Sequence, residues 1–124
     1  SAASDVYKRQ IYQSAQSAIA SLPDADLLEV AQRLEGLEPL LWVNVLQRWV
    51  EDLARVAGGI PPRSKGTELR QLTSLAARSN LQALLDCAQQ LLRFRRSVDH
   101  PLNPRLYAEA TLRVYMQAFR AAKD

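Results

Sequence analysis

Between Leu81 and Phe119 the chain carries two amphipathic stretches separated by a break, Asp99-His100-Pro101-Leu102-Asn103-Pro104. In the first stretch Leu81, Leu84, Leu85, Ala88, Leu91 and Leu92 recur at helical spacing. Gln82, Asp86, Gln89, Arg93 and Arg96 take the other side. In the second, Tyr107, Ala110, Thr111, Val114 and Ala118 form the apolar stripe. Asn103 can cap this helix through its side-chain oxygen, and Pro104 suits the first helical position because it has no N–H to leave unpaired. Two helices joined this tightly are expected to pack side by side.

The same period runs through the rest of the chain. Ile11, Ala15, Ala18, Ile19 and Leu22 share one face of a weakly amphipathic helix that Pro23 ends. Asp24 is placed to cap the next helix, with Asp26 in its first turn, where a negative charge suits the helix dipole. There Leu27, Leu28, Ala31 and Leu34 face inward, and Gly36 stops the helix. A third helix opens at Glu38-Pro39 and runs to about Ala57, with Trp42, Leu46, Trp49, Val50, Leu53 and Ala57 in one stripe. Leu40, Leu41, Val43 and Val45 make its first half apolar nearly all round, so it is either central in the core or part of an interface. Gly58 to Gly66 reads as a loop, rich in Gly and Pro. Thr67 or Ser64 can cap a short helix bearing Leu69, Leu72, Leu75 and Ala76; Ser79-Asn80 breaks it and caps the helix from Leu81. The fold class is all-α, a single bundle of five to six helices.

The first ten residues stand apart. Asp5-Val6-Tyr7-Lys8-Arg9-Gln10 resembles the in-frame translation of a transposon end used to prepare libraries. On that reading residues 1–10 are a library-derived leader and residues 11–124 are the helical domain. The other reading is a native helix start with Ser4 as its cap.

Composition narrows the class. At 124 residues there is room for one domain with a core that needs no staples. Hydrophobic residues at 48% against charged residues at 23% exclude a disordered chain. The single Cys excludes an internal disulfide and a Cys-rich metal site, and it fits a reducing, cytoplasmic setting. No apolar run reaches the length of about 18 residues that a membrane span needs, and no signal-peptide pattern is visible. The net charge of +3 is mildly basic, but acidic and basic residues alternate along most helices, as on an ordinary solvated surface.

Reactive constellations are sparse. Gly58-Gly59 lacks the lysine and hydroxyl residue that complete a phosphate loop, and reads as a helix terminator. Cys87 and His100 are the strongest candidates for nucleophile or base. They lie on different elements without a third group to orient them. Cys87 flanks an apolar face, where a free Cys acts as a small hydrophobe, and His100 sits in a turn before Pro101. Glu51 and Asp52 are adjacent on a helix, so they point about 100° apart and cannot share a substrate. Arg93, Arg95 and Arg96 form the sharpest polar cluster. They fit a solvated helix end where cations oppose the dipole, or contact with an acidic partner helix; no aromatic is spaced for base stacking. No catalytic, cofactor-binding or metal-ligating residue is expected, and no cofactor or small-molecule substrate.

One family pattern does fit. The leucine-rich helix, Arg95-Arg96, the short break and then Asn103-x-x-Leu106 opening the last helix resemble the C-terminal domain of the delta-prime subunit of bacterial DNA polymerase III. Trp49-Val50-Glu51-Asp52-Leu53 followed by Gly58-Gly59 resembles it as well, and the likeness covers roughly residues 11–119. The resemblance implies an all-helical collar domain of the clamp loader. Such a domain holds its subunit in a ring with the delta and tau/gamma subunits, and associates only indirectly with primed DNA and the sliding clamp. It neither binds ATP nor polymerises DNA. The family's nucleotide-binding-like and zinc-bearing modules carry no residue onto this chain.

The segment Leu40 to Leu46 is apolar on more sides than one small core needs, and interface hot spots favour Trp, Tyr and Arg. The candidate partner-binding residues are therefore Leu41 and Trp42, one or other partly exposed, with Arg93 and Arg96 as rim contacts. The competing reading makes the third helix central and Trp42 core. The alternative function is a small basic helical nucleic-acid-binding protein, which would need Arg63 to Lys65 and Arg93 to Arg96 to converge on one face.

Overall fold

The computed structural model describes residues 1–63, 68–98 and 103–120. These form six α-helices: α1 (Ala2–Ala20), α2 (Leu27–Glu35), α3 (Pro39–Ala57), α4 (Glu68–Ala77), α5 (Leu81–Arg96) and α6 (Pro104–Arg120). Among the described residues there is no strand, so the fold is an all-α bundle.

Helix α3 is the axis. Pro39 occupies its first turn, where a missing N–H costs nothing, and Gly58 caps its other end. It buries Trp42, Val43, Val45, Leu46, Trp49, Val50 and Leu53, and packs against α1, α2, α4 and α5. Each such large apolar side chain removed from water contributes about 1.5–3 kcal/mol before entropy is counted. Of its expected stripe only Ala57 is exposed.

Helix α6 closes the bundle against α2 and α5. Asn103 Oδ1 accepts from the Leu106 N–H, the expected cap. The Arg105 guanidinium reaches α2 twice, pairing with Glu35 at 3.2 Å and donating to the Leu28 carbonyl at 3.2 Å. The buried face of α6 is turned one position from the sequence-based stripe. Ala108, Thr111, Leu112, Tyr115, Ala118 and Phe119 point inward, Tyr107 and Val114 are half-buried, and Ala110 is exposed. The reason is tertiary: Tyr115 lies under α3, where its hydroxyl oxygen accepts a bond from the Trp49 indole.

Other local expectations divide in the same way. Asn80 Oδ1 accepts from the Ala83 N–H and caps α5 as its sequence predicts. Helix α2 is capped by Asp26, which accepts from Leu28, and not by Asp24. Asp24 is drawn off by Arg78 at the end of α4, in a two-point pair with contacts of 2.9 and 3.0 Å. Leu28 and Leu69 are exposed, although their stripes point them inward. Helix α1 begins at Ala2 with Ser1 as its cap, where Ser4 was the alternative; residues 1–10 are exposed throughout and add nothing to the core. The caps assigned to Ser64 and Thr67, and residues 99–102 with His100 among them, lie outside the described residues.

Candidate partner-binding surface

The four residues singled out by sequence separate into buried Trp42, half-buried Leu41 and exposed Arg93 and Arg96. Trp42 is 1% exposed. Its ring lies 5.6 Å from that of Tyr107 on α6, tilted by 57°. Of Leu41 and Trp42, one or other of which the sequence leads us to expect partly exposed, Trp42 is core, with its ring against Tyr107 of α6. Leu41, beside it, is half-buried, and Leu40 is exposed.

Tyr107 also meets Phe94 of α5 at 6.0 Å, and its hydroxyl donates to the Phe94 carbonyl. Through this shared ring the first turn of α3 and the last turns of α5 come to one end of the bundle. Leu41 lies in the first of these turns, while Arg93 and Arg96 sit on the second. Arg93, Arg95 and Arg96 are exposed and make no ion pair among the described residues.

Helix α5 has more apolar surface than its core contacts use. Leu84, Cys87 and Leu91 are buried, whereas Leu81, Leu85 and Leu92 are 40%, 47% and 47% exposed. The sequence-based stripe merged these two rows. Both rows have the same three- and four-residue spacing, so spacing alone does not mark which one faces inward.

Polar features lie beside α3. A cleft of about 470 Å³ is lined by Tyr12, Asn44, Gln47, Arg48, Glu51 and Arg95. A smaller one of about 180 Å³ is lined by Arg48, Glu51, Asp52 and Arg63. The two share Arg48 and Glu51. Glu51 accepts from the Gln47 amide at 3.1 Å, and buried Asp52 accepts from the Arg63 backbone N–H at 2.8 Å. These carboxylates anchor the helix and the loop that follows it, and, although adjacent on the helix, both line the smaller cleft with Arg48 and Arg63.

Reactive side chains are tuned away from reactivity. Burial pushes the Cys87 thiol up to about 12, which removes the thiolate at neutral pH. Burial raises Tyr115 far above the ordinary phenol range, while the bond from Trp49 acts the other way. Tyr107 is pushed up to about 12 by burial. Among the described residues no group of three His, Cys, Asp or Glu could hold a metal ion, and no helix is long and apolar enough to cross a membrane.

No family model, curated protein or solved structure matches this chain.

Proposed function

We propose that this chain is an assembly domain, the collar domain of a delta-prime-like subunit of the bacterial clamp loader, which packs against the delta and tau/gamma subunits while the sliding clamp is loaded on DNA. The observation that carries the reading is the exposed leucine row of α5 ending at Arg93 and Arg96. A large apolar row beside exposed arginines suits contact with another protein. The residues that carry the family resemblance fall in the core or at helix ends. Trp49 and Leu53 are core, Gly58 ends α3, and Asn103 and Leu106 form the capped start of α6. The candidate contacts are Leu41, Arg93 and Arg96, with Trp42 buried in the core.

The test is competition. Excess chain added to a complete clamp-loading reaction should occupy collar positions and slow loading. A loading rate that does not change with added chain contradicts the proposal.

One observation favours the nucleic-acid reading: Arg63, Arg48 and Arg95 line two clefts that share Arg48. Glu51 lies in both clefts and Asp52 in one, which weakens the potential a phosphate backbone would meet. Lys65 lies outside the described residues. Binding of random duplex DNA that falls steeply with salt would favour this second reading.

A further inference from the structure

Leu81, Leu85, Ala88 and Leu92 are spaced by four, three and four residues, the spacing that keeps side chains in line along a helix. Three of them are 40–47% exposed, and half-buried Ala88 forms a low point between Leu85 and Leu92. Arg96 continues the row one turn past Leu92, and Arg93 lies one residue on from Leu92. Asp86, the acidic residue within α5, accepts from the Gln82 amide at 3.2 Å. The row is therefore an apolar seam about 17 Å long at 1.5 Å per residue, with the positive charge of Arg93 and Arg96 at one end.

We propose that this seam docks one amphipathic helix of a partner protein, running antiparallel to α5, with leucine-like residues along the seam and acidic residues in its first turn. The direction follows from electrostatics. An antiparallel helix brings its N-terminus beside Arg93 and Arg96. A helix N-terminus favours Asp and Glu because of the dipole, and those same carboxylates would pair with the two guanidinium groups. A parallel helix would bring its customary C-terminal cations to the arginines, a full-charge repulsion that the partial charge of its last carbonyls does not cancel. The α5 of a second copy suits the seam poorly, because α5 has no acidic residue in its first turn to offer.

The inference rests on the assembly reading, and its test is chosen so that the two fail separately. The probe is a synthetic helix with leucines at the same four, three, four spacing and three glutamates in its first turn; its control carries lysines in their place. Binding to the 124-residue chain is followed by fluorescence anisotropy. The acidic peptide should bind about tenfold or more tighter than the lysine peptide. Leu85→Gln and Leu92→Gln, at exposed positions that leave the circular dichroism and melting of the chain intact, should weaken it by a similar factor. Arg93→Gln with Arg96→Gln should remove the preference for the acidic peptide. Equal binding of the two peptides, no binding of either, or indifference to the leucine variants would overturn the seam. So would sedimentation showing a dimer of this chain that Leu85→Gln dissolves. Retention of the seam's peptide preference by a chain that ignores clamp-loader subunits would overturn the assembly partner and leave the seam standing.

Discussion

Trp49 on α3 donates its indole N–H to the hydroxyl oxygen of Tyr115 on α6 at 2.9 Å, with both side chains buried. The bond joins elements 66 residues apart and sets which face of α6 turns inward. Removing its acceptor leaves a buried donor unpaired, so Tyr115→Phe should cost about 1–3 kcal/mol in denaturant unfolding. In a Trp49→Phe background the same change should cost less, because the donor is already gone. An equal cost in both backgrounds would show that the bond contributes nothing.

Trp42 gives a sharper contrast between core and interface. With its ring against Tyr107 and no appreciable exposure, Trp42→Ala should destabilise the chain by about 3–5 kcal/mol. Leu53→Ala, also fully buried, should cost about 2–5 kcal/mol. Thermal or urea melts check both. A Trp42→Ala chain that melts like the parent would return Trp42 to the surface.

The pair between Asp24 and Arg78 makes a pH-dependent contribution. The hydrogen bond from Arg78 holds the Asp24 carboxyl below its ordinary value of 3.8. A lowered folded-state value means that the contribution is complete above the unfolded value and is lost as pH falls through the folded one. Asp24→Asn should therefore melt below the parent at neutral pH, and the gap should close on the acid side of 3.8. Both side chains are substantially exposed, so the gap should also be small and shrink with salt. A gap that widens in acid would contradict the assignment.

Cys87 should resist alkylation. It is 2% exposed and its thiol is pushed up to about 12 by burial. Labelling by iodoacetamide at mildly alkaline pH should be slow in the native chain and rise with the unfolded fraction in denaturant. Fast labelling without denaturant would show that the α5 core row is open.

Much of the fold is legible in the sequence because its boundaries are local. Pro39 and Gly58 bracket α3, while Asn80 and Asn103 cap the helices that follow them. What escapes is set by partners far along the chain. Asp24 and Asp26 can each cap α2, and the choice depends on Arg78, 54 residues beyond Asp24. Tyr107 and Tyr115 both anchor α6, Tyr107 against Trp42 and Phe94 and Tyr115 through the Trp49 indole, and these partners lie on other helices. The candidate surface divides likewise. The exposure of Arg93 and Arg96 follows from their place in the last turn of α5. The burial of Trp42 depends on where α6 lies. The exposure of Leu81, Leu85 and Leu92 depends on how much of a wide apolar arc the neighbouring helices cover.

The most direct measurement of the central claim is co-elution. The 124-residue chain is mixed with the delta and tau/gamma subunits of a bacterial clamp loader and run through size exclusion beside a Leu85→Gln, Arg93→Gln variant. The parent should shift into the high-mass fraction with the subunits, and the variant, equally folded, should stay behind. A parent chain that elutes alone at its own size in the presence of those subunits would contradict the account.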